Sequence, residues 1–176
     1  MILGLDISTS ITGATILDSS ANMLYNESWD TRNKNKFSSL YEKAQFIRER
    51  LVELRGQYCV DVIFIEQSLQ SFRSGFSSAK TLSTLSRFNG IISWMCFDIF
   101  EKEPEMIAAN SARKSVGVIK KRGENAKEKV LKFVLDNNPQ FMLEYTKFGN
   151  PVPGSYDRAD SYVIAKAGLN ICNERK

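Results

Sequence analysis

The sequence predicts an α/β fold with a five-stranded mixed sheet and helices on both faces. Three apolar strands, residues 2–7, 13–17 and 23–29, follow one another with short polar turns between them, which is typical of an antiparallel meander. Beyond them, two apolar strands alternate with amphipathic helices, which is typical of parallel strands joined by right-handed helical crossovers. We therefore expect a three-strand antiparallel meander that is extended by two parallel strands.

Apolar residues that recur every three or four positions predict the helices, and Leu40 and Ala44 begin this pattern in the first of them. Asn110 or Ser111 is expected to cap a short third helix. Residues 141–154 are rich in Gly and Pro and are expected to form a loop. The remaining predicted strands are residues 61–65 and 104–108, and the predicted helices are residues 37–58, 78–100, 112–116, 123–135 and 155–172.

The composition limits the classes of protein to which this chain can belong. Of the 176 residues, 43% are hydrophobic, which suffices for a core, and we expect residues 1–176 to form one domain. No apolar stretch approaches the roughly 18 residues that a membrane span needs, and the start of the chain lacks the basic residues of a signal peptide. Cys59, Cys96 and Cys172 are odd in number and lie among apolar residues, so we expect reduced thiols in the core of a cytoplasmic protein.

Acidic residues stand at the ends of three predicted core elements. Asp6 closes the first apolar run, Glu66 follows the strand at 61–65, and Asp157 and Asp160 lie in the first turn of the last helix. Parallel strands deliver their last residues to one edge of a sheet, where carboxylates repel one another unless cations neutralise them. The chain contains no histidine, so such a site would use oxygen ligands, which suit Mg²⁺ or Mn²⁺ rather than Zn²⁺. Taken alone, Asp157 and Asp160 are equally compatible with an ordinary acidic first turn.

Several segments, taken together, resemble a known family. In order along the chain they are Ile2-Leu-Gly-Leu-Asp6-Ile-Ser-Thr-Ser-Ile-Thr-Gly13, Ile65-Glu66-Gln67, Ile107-Ala-Ala-Asn-Ser-Ala-Arg-Lys-Ser-Val-Gly117 and Asp157-Arg-Ala-Asp160-Ser. This order and spacing resemble the RuvC-like Holliday junction resolvases, which belong to the RNase H-like, or retroviral-integrase, superfamily. The first turn reads Asp-Ile-Ser-Thr where bacterial members usually have Asp-Pro-Gly, and the segment after Glu66 is longer than theirs, which fits a divergent, phage-type member.

The resemblance implies an RNase H-like fold and a metal-dependent endonuclease that cleaves four-way or related branched DNA. Asp6 matches the aspartate of the family's first strand, Glu66 the glutamate that ends the fourth strand, and Asp157 and Asp160 the pair on the last helix. These four residues are then both catalytic residues and ligands of two Mg²⁺ ions, for which Mn²⁺ can substitute. The resemblance also implies a homodimer without a nucleotide cofactor, built on the helix at 78–100, although simple burial explains the apolar faces of this helix equally well.

Cations and exposed aromatic residues near these acids are candidates for DNA binding. The formal net charge is +4, and without the four acids it is 24 − (20 − 4) = +8, which suits a polyanionic substrate. One of the two loop phenylalanines is expected to stack on a base at the junction crossover, and we favour Phe72. Packing of both rings under the loop is the plain alternative. A solvated basic loop is the plain alternative for the cations. The DNA-binding candidates are Phe72, Arg73, Phe76, Lys80, Arg113, Lys114, Lys120, Lys121 and Arg122.

Two other functions are compatible with parts of the sequence. The segment from Asp6 to Gly13 also resembles the first phosphate loop of the actin and sugar-kinase ATPases, but those proteins need two such domains, which exceed 176 residues. A DNA-binding module that has kept the fold without catalysis is the other alternative, and the four intact acids argue against it. The sequence is equally compatible with four-way junctions, forks and flaps as substrates.

Overall fold

The computed structural model describes residues 1–67, 79–121 and 123–175, and five strands in these residues form one mixed sheet. The order across the sheet is β3-β2-β1-β4-β5. β2 is antiparallel to β1 and β3, whereas β4 is parallel to β1 and β5. The predicted five-stranded mixed sheet is therefore confirmed. The strands are β1 (Ile2–Asp6), β2 (Ile11–Leu17), β3 (Met23–Asp30), β4 (Val62–Glu66) and β5 (Glu105–Ile107).

Because β1, β3, β4 and β5 all run in the same direction, their last residues lie along a single edge of the sheet. We call this edge the carboxyl edge. It is the edge at which open α/β sheets bind their ligands, because the loops and helix ends that follow the strands meet there.

Helices cover both faces of the sheet, as predicted. On one face, Leu3 and Leu5 of β1 pack with α1 and α2 in one apolar core. On the other face, Ile2 of β1 and Phe64 of β4 pack with α3, α4 and α5 in a second core. The alternation follows from the strand period of two, which sends successive side chains to opposite faces. The helices are α1 (Leu40–Gln57), α2 (Ala79–Phe100), α3 (Ala109–Ser115), α4 (Ala126–Asn137) and α5 (Ser155–Glu174).

The helix α5 lies unusually close to the strands because two glycines remove the side chains between them. A Cβ atom at Gly4 of β1 would lie 2.5 Å from the backbone nitrogen of Ala165. A Cβ atom at Gly13 of β2 would overlap the backbone oxygen of Asp157. Both glycines therefore allow α5 to lie in backbone contact with the sheet.

The element boundaries differ from the predicted ones where local capping decides them. α1 begins at Leu40 rather than at residue 37, because Ser39 and Glu42 form a capping box. α3 begins at Ala109, with Ala108 as its N-cap and no side-chain cap, so the prediction of Asn110 or Ser111 as the cap was wrong. The 141–154 loop contains one isolated bridge, between Tyr145 and Pro151.

The cysteines are free, but they do not all lie in the core. Cys96 is buried and Cys172 is partly buried, whereas Cys59 is exposed. The prediction that Cys59 is a core thiol was therefore wrong, because the turn between α1 and β4 places it at the surface. In the described ranges, none of the helices is long and apolar enough to cross a membrane.

Candidate active site at the carboxyl edge of the sheet

The parallel strands β1 and β4 place Asp6 and Glu66 side by side. Leu5 pairs with Ile65 in the register of these strands, so the next residue of each strand leaves the sheet at the carboxyl edge. Strand alternation sends both carboxylates to the same face as Gly4 and Phe64, which lie two residues earlier. This face is the one that α5 covers, since Gly4 and Phe64 both contact that helix.

The helix α5 brings two more carboxylates to the same point. It begins after Gly154, whose φ of 95° is in the left-handed region, and Asp157 lies in its first turn. Gly13, over which the backbone of Asp157 lies, is the register partner of Asp6. Asp160 lies one turn later on the helix and is 5% exposed.

Electrostatic interactions show that the four carboxyl groups form one cluster. Burial raises the pKa of each of them. The negative charges of Glu66, Asp160 and Asp157 raise the pKa of Asp6 further. The pKa of Glu66 is raised to about 7 by its burial and by the charge of Asp160. Asp6 is thus close enough to the other three carboxylates for their charges to destabilise its ionised form.

Basic side chains border this cluster. Arg113 of α3 lies 3.4 Å from Asp160 (Nη2 to Oδ1), and its charge lowers the pKa values of Asp160 and Glu66. Lys127, in the first turn of α4, lowers the pKa of all four carboxyl groups. Lys127 was not among the predicted site residues, because nothing in the helical pattern shows that the first turn of α4 faces the carboxyl edge. The only available signal was its position shortly after the basic segment.

A polar network fixes the first turns of α5 on the sheet. The Asn26 side-chain amide of β3 donates to Thr15 Oγ1 of β2 (2.7 Å) and to the backbone oxygen of Arg158 (3.0 Å). Thr15 Oγ1 is hydrogen-bonded to Ser161 Oγ at 2.8 Å, and Arg158 Nε donates to Asn26 Oδ1 at 2.8 Å. Thr15 and Ser161 are fully buried, so these bonds form in a low-dielectric environment where they hold the helix firmly. The network therefore positions the turn that carries Asp157 and Asp160.

A buried asparagine fixes the end of β4 from the opposite face. Asn89 of α2 is 6% exposed, and its side-chain amide donates to the backbone oxygen of Glu66 at 3.0 Å. This bond gives a hydrogen-bond partner to the carbonyl group of the last residue of the strand. Both faces of the sheet thus contribute to the position of the acidic cluster.

The donor set suits a hard divalent cation, although the side chains do not form a metal site as they stand. The cluster offers carboxylate oxygens, which Mg²⁺ and Mn²⁺ prefer, and the chain contains no histidine. Within residues 1–67, 79–121 and 123–175, however, no three acidic or cysteine side chains are arranged to hold a metal ion. Carboxylates that lie this close repel one another, and a divalent cation bound between them would offset that repulsion.

Comparison with known proteins gives a structural match without a sequence match. No family model and no curated protein matches the sequence. The structure of Thermus thermophilus RuvC in complex with a Holliday junction substrate is similar at a TM-score of 0.68 and 14% identity, over 98% of this chain and 94% of that chain. Another Thermus thermophilus RuvC structure gives a TM-score of 0.67 at 15% identity, over 99% and 96% of the two chains. This chain has the RuvC fold.

The yeast mitochondrial Holliday junction resolvase is similar as well, at a TM-score of 0.55 and 15% identity, over 96% of this chain and 77% of that chain. These matches confirm the predicted RNase H-like architecture and the resemblance to the RuvC-like resolvases at the level of the fold. At so low a sequence identity, the matches show the fold but not the activity. The activity must therefore be inferred from the site.

On this RuvC fold, the predicted DNA-binding residues fall into three groups. Lys80, Lys114, Lys120 and Lys121 are exposed, as a phosphate-binding role requires. Arg113 is instead largely buried and paired with Asp160, which places it in the acidic site rather than on the outer surface. The base-stacking role of a loop phenylalanine stays a prediction. Phe72, Arg73, Phe76 and Arg122 lie outside the described residues.

The raised pKa values predict an inverted pH dependence of stability for the RuvC fold in this chain. A carboxyl group with a raised pKa binds more protons in the folded state than in the unfolded state, so the free energy of unfolding falls as the pH rises between the two pKa values. For Glu66 this interval runs from the ordinary value of 4.5 to about 7. In EDTA, the melting temperature should therefore rise as the pH is lowered from about 7.5 to about 5. Thermal unfolding monitored by circular dichroism at each pH measures this melting temperature.

Glu66→Gln removes one of the buried charges and should raise stability at pH 7.5 by on the order of 2 kcal/mol, since one pKa unit corresponds to about 1.4 kcal/mol. It should also flatten the pH dependence. The matched control is Glu49→Gln at an exposed position of α1, which should behave like the parent. A melting temperature that falls steadily from pH 7.5 to pH 5 in the parent would contradict the clustering of the four acids.

Proposed function

We propose that this protein is a divalent-metal-dependent endonuclease that cleaves branched DNA, with four-way junctions as its main substrate. One observation carries the proposal: Asp6, Glu66, Asp157 and Asp160, from three separate elements, are brought to one point at the carboxyl edge. Burying carboxylates next to one another destabilises the apo protein, and relief by divalent cations is the usual functional reason for such a cluster.

The surroundings of the cluster support a polyanionic substrate. Arg113 and Lys127 border the acids. Lys114 is exposed on α3, and Lys120 and Lys121 are exposed in the segment that follows it. A cleft that is acidic at its centre and basic at its rim can hold cations and phosphates together. The similar RuvC structure that contains a Holliday junction substrate makes branched DNA the first substrate to test.

The four carboxylates would hold one or two Mg²⁺ ions, with Mn²⁺ as a substitute. Such ions lower the pKa of bound water and stabilise the leaving oxygen of a phosphodiester when they are bound. Arg113 neutralises Asp160 in the present arrangement, and it can turn towards a phosphate once Asp160 has another partner. Lys127 offers a second positive charge to the phosphate that is cleaved.

Cleavage of a panel of labelled substrates tests the proposal. With Mg²⁺ or Mn²⁺, the protein should cut four-way junctions, with lower rates on forks and flaps and little cleavage of plain duplex. It should not bind ATP, which separates this function from that of an actin-like ATPase. A folded protein that cuts none of the branched substrates with either metal would refute the proposal.

A homodimer belongs to this proposal, because a four-way junction has two symmetry-related strands to cut. The helix α2 displays Trp94 and Phe97, which are 61% and 54% exposed and lie three positions apart on one face. Large apolar side chains that are exposed together mark an interaction surface. Their burial against the same face of a second copy would give two sites related by a two-fold axis.

We predict a dimer at tens of micromolar in sedimentation velocity, and Trp94→Glu with Phe97→Glu should convert it to a monomer, because two charges would be buried at the interface. Phe148→Glu is the matched control, since Phe148 is 78% exposed outside α2, and this variant should remain dimeric. A monomeric parent, both free and on junction DNA, would contradict this assembly.

A further inference from the structure

The segment between β3 and α1, residues 31–37, lies on the flank of the acidic cluster opposite to α3. β3, β1, β4 and β5 all end at the carboxyl edge, in the spatial order given by the sheet. The order along this edge is therefore the 31–37 segment, Asp6, Glu66 and then the turn into α3, which carries Arg113. The acids thus lie between two basic regions.

The 31–37 segment is rich in positive charge. Arg32, Lys34 and Lys36 place three cations in five residues, and all three are exposed. Arg32 is bound to Asp30 through two nitrogens, with Nε donating to Oδ1 at 2.9 Å. Lys34 and Lys36 form no ion pair with any residue that the structure describes. Two positive charges are therefore left for an external anion.

Several contacts fix the conformation of this segment. Thr31 is 1% exposed, and its Oγ1 donates to the backbone oxygen of Ser10, in the turn that follows Asp6. The Asn33 side chain accepts a hydrogen bond from the backbone nitrogen of Asn35 at 3.0 Å, which forms a tight turn. Phe37 is buried, so it anchors the end of the segment. Protein groups that are already held in place lose less conformational entropy when they bind a ligand.

Two of the three cations, Arg32 and Lys36, line an open concavity together with Asp30, whose carboxylate is paired with Arg32. Its volume is about 490 Å³, and Arg32, Asn33 and Lys36 contribute to its wall. The Lys36 ammonium group lies 5.2 Å from the centres of the Phe37 and Phe46 rings, which hold it near this wall. Arg32 is close enough to Asp157 for its charge to lower the pKa of that carboxyl group.

We propose that the 31–37 segment binds a backbone phosphate of the cleaved DNA strand through Lys34 and Lys36, on the side of the acidic cluster opposite to Arg113. β3 lies two strands away from β1, so the ends of these two strands lie about 10 Å apart, at about 4.8 Å per strand. The inference rests on the proposed function and extends it, because it adds a phosphate contact on the flank of the acids that lies away from Arg113.

The test measures the salt dependence of binding. A fluorescent four-way junction is titrated without divalent metal from 50 to 200 mM salt, with the parent and with Lys34→Ala/Lys36→Ala. Each lost phosphate contact lowers the magnitude of the slope of log K against log salt by about 0.9, so the double variant, which loses one bound phosphate, should lose about 0.9. Lys34→Arg/Lys36→Arg keeps both charges and should restore the parent slope.

Arg55→Ala/Lys102→Ala is the charge-matched control, because both residues are exposed and lie near the opposite edge of the sheet, before β4 and before β5. It should leave the slope unchanged. A parent that binds the junction, together with an unchanged slope in Lys34→Ala/Lys36→Ala or an equal loss in the control, overturns this inference alone. A parent that does not bind branched DNA overturns the proposed function and this inference with it.

Discussion

Replacing Asp6 or Asp160 by asparagine should lower the rate of junction cleavage by about a thousandfold or more, while junction binding is retained. Divalent cations in such sites supply several kcal/mol of transition-state stabilisation, and every 1.36 kcal/mol corresponds to a factor of ten in rate. An amide has nearly the same shape as a carboxylate but lacks the charge that holds the cation. Binding should survive, because the removal of negative charge does not weaken the attraction of the protein for phosphate.

Single-turnover cleavage of a labelled junction with saturating protein separates these effects, since the rate then reports chemistry rather than affinity. Asp136→Asn is the matched control. Asp136 is exposed on α4, is paired with Lys132 and is not one of the four acids. This variant should cleave at the parent rate. Asp160→Asn also releases Arg113 from its partner, so this variant should bind the junction at least as tightly as the parent. Near-normal turnover of either Asp6→Asn or Asp160→Asn with Mg²⁺ would show that the acidic cluster is not the catalytic centre.

The fold could be predicted from the sequence because each element shows its own pattern. The apolar strands of the meander and the alternation of strands and helices are local features, and together they define the mixed sheet. The proximity of Asp6 and Glu66 could be anticipated as well, since both residues end neighbouring parallel strands. Helix caps were less predictable: α3 begins without any side-chain cap, so no residue type marks its first residue.

The surroundings of the cluster could not be predicted, because they depend on contacts between elements that are distant in the chain. Lys127 and Arg32 reach the acids from α4 and from the turn after β3, and no local pattern distinguishes them from surface cations. Arg113 belongs to a basic segment in the sequence, yet packing turns it inward to Asp160. Gly13 was recognised as part of a motif, but the reason for a glycine at this position is visible only once α5 lies on the sheet.

This contact makes Gly13→Ala the substitution with the largest expected effect outside the four acids. The added methyl group would overlap the backbone of Asp157, which cannot move aside as the end of a flexible side chain can. α5 would therefore have to shift away from β2 and strain the buried bond between Thr15 and Ser161. Overpacking of this kind costs about 1–3 kcal/mol, which lowers the melting temperature of a protein of this size by roughly 2–12 °C.

The effect of Gly13→Ala on cleavage should exceed its effect on stability, because Asp157 would move relative to Asp6, which pairs directly with Gly13 in the sheet. A misplacement of about 1 Å in a catalytic group can cost about a hundredfold in rate. We therefore expect a hundredfold loss of single-turnover cleavage at a temperature well below the melting point, with the circular dichroism spectrum of a folded protein. Gly56→Ala is the matched control, since nothing lies within 4 Å of a Cβ at Gly56 in α1, and alanine favours a helix. A Gly13→Ala variant that cleaves and melts like Gly56→Ala would mean that α5 can move without disturbing the acids, and the close contact between α5 and β2 would then have no part in catalysis.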